Sequence, residues 1–195
     1  MSRILDSGKT LAKAEIQFWT KCSDQDAELY RTHFLECGYS WPFSPEDRAV
    51  LEVIDEAFDD VAKPDHFTDY KHCHECYDHD ETLRSYERQS LLRSCAGHVG
   101  WDPFSFSSIQ GAMYYFPALS RFTLRRHNEL FADSYSSELI SHLSGGWEPW
   151  LPSFNHKQRL AVKALFDHFD RTNSPIIYDD FFRTAVKLLN SLLEE

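Results

Sequence analysis

Residues 72–81 of this 195-residue chain, HCHECYDHDE, hold three histidines, two cysteines and four carboxylates. Such side chains can ligate a metal, relay protons or attack an electrophile. Little else in the chain points to a chemical activity. Cys73-His74-Glu75-Cys76 is a C-x2-C, and eighteen residues later Cys95-Ala96-Gly97-His98 is a C-x2-H. Ligands two residues apart let both side chains of one turn face one ion, and two such turns make the tetrahedral shell that zinc prefers. A thiolate-rich set also disfavours magnesium and calcium. The spacing predicts a structural zinc on Cys73, Cys76, Cys95 and His98, stapling a loop that has little apolar material of its own. A variant shell takes Cys73, Cys76 and His79, with His72 or His74 as the fourth ligand. Cys22 and Cys37 are left as buried thiols.

Three catalytic readings compete with this. His72-x-His74 followed by Asp78-His79 is similar to the H-x-H-x-D-H pattern of metal-dependent hydrolases, in which a carboxylate such as Glu75 or Asp78 would work on a metal-bound water. Here the spacing is two residues longer, and no strand leads into it. A C-x-x-C can be a redox dithiol, which normally opens a helix after a strand. Cys95 or Cys76 could pair with a histidine as a nucleophile, but no oxyanion-stabilising element is identifiable. Without an ion, the cluster would be a hydrogen-bonded His–Asp group. Cys95, ending the apolar run SLLRSCAG, would then be a core residue.

Composition bounds the rest. With 42% apolar and 15% aromatic residues the chain can bury a real core. No run approaches the roughly 18 apolar residues of a membrane span, and the N-terminal MSRILDSGKT lacks the apolar core of a secretory signal. The expectation is one helical domain over residues 1–195, in the cytoplasm. The net charge of −11 argues against nucleic acid, because phosphate binding needs a basic face. From Glu46 to Glu81 thirteen acidic residues face only Arg48, Lys63 and Lys71, so nearly all the excess lies there. That block is either a solvated surface or a docking face for a basic protein, with Asp55, Glu56, Asp59 and Asp60 as contacts.

The elements that must carry these residues read as helices. Residues 9–21 and 25–36 give two short ones. Ser44-Pro45-Glu46-Asp47 is a helix start, with Ser as N-cap and Pro in the first turn. Leu51, Ile54, Phe58 and Val61 then make one apolar face. Acid at that helix's C-terminal end opposes its macrodipole and has no reason in folding alone. Ser107 or Ser108, with Gln110, opens a helix carrying Pro117, where a kink is expected. A shorter helix covers 134–143. A helical pair covers 154–194, and PIIY at 175–178 is the best short strand candidate. Gly100-Trp101-Asp102-Pro103 echoes Gly146-Trp147-Glu148-Pro149, each a helix-entry loop. The class is all-α, with a His/Cys-rich loop at about 63–106.

HCHECYDHDETL, followed by GWDPFSF and the YYFPAL helix, resembles a bacterial protein family of unassigned activity. The resemblance covers roughly residues 65–125. The matching positions are Cys73, Glu75, Cys76, His79, Asp80, Glu81, Gly100, Trp101, Asp102 and Pro103. It implies that the cluster is a family feature and favours the Cys73/Cys76/His79 subset, since Cys95 and His98 are not in the signature. The function expected is an acidic protein-binding protein, immunity-like, antitoxin-like or an adaptor, with Trp101, Trp147 or Trp150 as anchors. The alternative is a metal-dependent hydrolase using the His72–His79 cluster.

Overall fold

A computed structural model describes residues 44–97, 101–124, 135–145 and 148–195. All of them belong to one unit, built from Ser44–Leu124 and Tyr135–Glu195. The helices expected at 9–21 and 25–36, and His98, Gly100 and Trp147, lie outside these residues. The class is all-α: six α-helices, linked by short 3-10 turns, with no β-sheet among the described residues. None of the described helices is long and apolar enough to cross a membrane.

Helix α1, Pro45–Ala57, starts where its local chemistry dictates. The Asp47 amide donates to Ser44 Oγ at 3.0 Å, and the Ser44 amide donates to Asp47 Oδ2 at 2.8 Å, closing a capping box. Asp47 Oδ1 also lies 2.8 Å from Nε2 of buried His168, which ties this cap to a distant helix. The helix ends before Phe58, one turn earlier than its apolar spacing suggests. Its acidic C-terminal end has a reason in folding after all. Arg88 donates to the Phe58 carbonyl at 2.7 Å, and Lys157 to the Glu56 carbonyl at 2.9 Å. Two cations from remote elements thus sit where the macrodipole is negative.

Helix α2, His74–Arg84, replaces the expected loop. Helix α3, Ile109–Thr123, runs through the middle, with eleven of its residues buried. Ser108 caps it by accepting from the Gly111 amide at 3.2 Å. Gln110 takes no part in that cap; its amide reaches the Ala62 carbonyl at 3.4 Å. The helix continues past Pro117, because packing on every side outweighs one missing donor. Gly111 cannot carry a side chain: a Cβ there would stand 2.8 Å from the Phe67 ring.

Helix α4 is Tyr135–Ser144, α5 is His156–Arg171 and α6 is Asp180–Glu194. Asn155 and Gln158 form a second capping box at the start of α5. PIIY is a 3-10 turn, Pro175–Tyr178, not a strand: it is bracketed by Pro175 and the α6 cap Asp179, with no partner strand among the described residues. Helix α1 packs on α3 and α5, α4 on α3 and α6, and α5 on α6. At the centre Phe58 stacks on Phe116 at 4.7 Å, and Phe154 meets both edge-on. Each such ring contributes about 1.5–3 kcal/mol on full burial.

Candidate metal centre

Helix α2 owes its start to a cysteine. Cys73 is the N-cap, with extended backbone, and its Sγ accepts from the Cys76 amide at 3.4 Å. A side chain that accepts from the N3 amide is drawn towards the first turn, where the N3 residue sits. Cys73 Sγ and Cys76 Sγ are 3.3 Å apart. His72 sits in a turn closed by its amide on the Asp69 carbonyl at 2.9 Å. Its Nδ1 lies 3.7 Å from Cys76 Sγ. One ligand atom each from His72, Cys73 and Cys76 falls within 4.8 Å of the others, so the three could hold a metal ion.

The two thiols differ. Cys73 is exposed, and the Cys76 amide, then the Cys76 thiol and His72, bring its pKa down to about 7. Cys76 is 5% exposed; burial, then the neighbouring Cys73, push its thiol up. A metal would ionise both.

A polar hub fixes α2 to the body. Asp80 is 1% exposed and accepts from the amides of Phe67 at 2.6 Å and Thr68 at 3.2 Å. Its second oxygen is 2.7 Å from His66 Nδ1, and His66 stacks on Tyr70. Thr68 in turn donates to the Cys76 carbonyl at 2.6 Å. At the other end, the Tyr115 hydroxyl donates to the carbonyls of Leu83 and Tyr86. Asp80 is the residue that sequence reasoning placed only within a motif. Nothing local marks it as an anchor, since its hydrogen-bond partners lie twelve to fourteen residues away.

The remaining candidates go elsewhere. His74 is exposed and pairs with Asp78 at 3.0 Å on its own helix. His79 is fully buried between Trp101 and Phe106, with ring centroids at 4.2 and 4.8 Å. Glu75 Oε1 is 3.7 Å from its Nε2, too far for a hydrogen bond, and neither ring nitrogen makes one among the described residues. Burial holds its pKa below the usual value, against the pull of Glu75 and Asp102. Cys95 is half-buried, its thiol 3.5 Å from the Tyr86 hydroxyl rather than in the cluster. His98 lies outside the described residues. Asp102 caps the turn Pro103–Phe106 and pairs with His142 at 3.3 Å. Burial would raise its carboxyl, but the His142 bond and charge, with Ser105 and the Phe104 amide, hold it below the ordinary range.

The four acidic candidates do come together. Asp55, Glu56, Asp59 and Asp60 line one open groove of about 400 Å³, with Lys157 at its side. Three of them already have partners within the chain: Asp55 with Arg121, Glu56 with Lys157 and Asp59 with Arg88. Compared with known families, curated proteins and solved structures, the chain matches none.

Proposed function

We propose that this chain is a metal-binding interaction protein that holds zinc on His72, Cys73 and Cys76. The observation that supports this best is the mutual approach of those three ligand atoms within 4.8 Å. Two thiolates and an imidazole are a soft set that suits zinc over harder cations. The spacing also fits. On one tetrahedral zinc, two sulfurs would stand about 3.8 Å apart and a sulfur and a nitrogen about 3.6 Å apart, from bond lengths of about 2.3 and 2.0–2.1 Å. The Cys76–His72 pair is at 3.7 Å, and the two sulfurs, at 3.3 Å, need to open by about half an ångström. A reducing compartment such as the cytoplasm would keep the thiols available.

The site is at a helix start, with His72 and Cys73 exposed, so an ion held there would be reachable from solution for a fourth ligand. A water or a partner's side chain would complete it. An acidic groove of this kind suits a basic protein, although three of its four carboxylates are paired internally. Such binding would weaken steeply with salt, and salt-independent binding would exclude it. The open position also favours a second reading, a metal-dependent hydrolase, which would need a substrate cleft over the ion.

The test is metal content after dialysis against zinc and removal of the excess. One ion per chain is expected. Sharing the roughly 10–16 kcal/mol of a four-ligand zinc site evenly gives about 2.5–4 kcal/mol per ligand, so Cys73→Ser, Cys76→Ser or His72→Ala should each weaken binding by about 60- to 700-fold. Full retention in the Cys73→Ser/Cys76→Ser double variant would refute the assignment.

A further inference from the structure

We propose that Cys73 and Cys76 are also a thiol–disulfide exchange pair that reduces low-molecular-weight disulfides and closes into an intramolecular disulfide. Three features of the geometry carry this. The sulfurs already stand 3.3 Å apart, so a bond of about 2.05 Å needs side-chain rotation rather than refolding. They occupy the N-cap and third position of one eleven-residue helix, which Thr68 holds at the Cys76 carbonyl and Tyr115 at the Leu83 carbonyl. Their accessibility is unequal: Cys73 is exposed and Cys76 is buried.

That inequality assigns the order of events. Cys73 Sγ, as thiolate, attacks one sulfur of a small disulfide RSSR, and the S–S bond breaks with release of RS⁻. The product is a mixed disulfide on Cys73. Cys76 Sγ, shielded from solution but adjacent to Cys73 Sγ, then attacks that sulfur, forming the Cys73–Cys76 bond and releasing a second RS⁻. The two thiol protons of the protein end on the two leaving thiolates. RSSR gains two electrons and becomes two RSH, and the dithiol loses two. Among the described residues no strand precedes this helix, which differs from the usual setting of a redox C-x-x-C.

The exchange itself does not depend on zinc. One corollary rests on the metal reading: since both processes use the same sulfurs, a bound ion blocks oxidation and oxidation expels the ion.

The experiment treats chelator-stripped full-length protein with oxidised glutathione, quenches with acid and maps the products by peptide mass. The expected result is loss of two hydrogens, with a bridge mapping to Cys73 and Cys76. Cys76→Ser should stop at one glutathionyl adduct on Cys73, and Cys73→Ser should give no adduct on Cys76 while folded. Wild-type protein that halts at the adduct, that stays reduced at both positions, or that bridges other cysteines would overturn the proposal. Repeating the reaction with saturating zinc tests the other reading separately. If the bridge forms as fast with zinc as without it, the metal does not sit on these sulfurs, while the exchange activity stands.

Discussion

Replacing Asp80 by alanine should lower the unfolding free energy by about 2–4 kcal/mol, because it strands two buried amides and one imidazole at once. The Phe67 and Thr68 amides both donate to Asp80 Oδ1, and Phe67 is fully buried, so water cannot replace the lost acceptor there. His66 Nδ1 loses its contact with Asp80 Oδ2, and Arg84 loses its pairing with the same oxygen. The damage would spread to the cluster, since Thr68 holds the Cys76 carbonyl. Asp80→Asn keeps one oxygen for the amides and should cost less, about 1–2 kcal/mol. Urea denaturation reads both values as shifts in midpoint at constant slope. A loss under about 1 kcal/mol for Asp80→Ala would mean that α2 is held by its apolar contacts alone, and the anchoring role would fall.

His79→Phe should act in the opposite direction. His79 is fully buried between two aromatic rings, with no hydrogen bond on either nitrogen among the described residues. Such a group has left water without compensation, which typically costs about 1–3 kcal/mol. A phenyl ring fills similar space and keeps the ring contacts, so the variant should gain about 1 kcal/mol or more near pH 7. The effect has a pH signature. Burial puts the folded pKa of His79 below its ordinary value of 6.5, so the unfolded chain takes up the proton first as pH falls. The parent's stability contribution from neutral His79 is complete above about pH 6.5 and is lost as pH drops towards the folded pKa. The advantage of His79→Phe should therefore widen between about pH 7 and 5. A variant that is less stable at neutral pH, and that also loses metal, would instead make His79 a ligand.

How far the sequence disclosed this arrangement varied with the kind of interaction. Caps were legible, since Ser44 and Asp47 are neighbours whose bonds are local chemistry. So was the pair α5 and α6, whose buried faces are apolar, as at Val162, Leu165, Phe166 and Phe169. Helix α2 was not legible as a helix. Its buried face is Cys76, His79, Asp80 and Leu83, so a search for apolar periodicity meets mostly polar letters. The same polar letters marked the cluster, and the C-x2-C spacing did bring Cys73 and Cys76 together. Spacing could not select the third ligand. His72 reaches the sulfurs because Cys73 opens the helix, whereas His79 follows the helix surface under Trp101. Long-range ion pairs were also out of reach: Arg88 and Lys157, which answer the acidic end of α1, lie about 30 and 100 residues from it.

X-ray absorption at the zinc edge, on protein carrying one ion per chain, addresses the metal centre most directly. His72, Cys73 and Cys76 as ligands predict two sulfurs at about 2.3 Å and one imidazole with a further light atom at about 2.0–2.1 Å. A shell without sulfur, or one with three sulfurs, would contradict it.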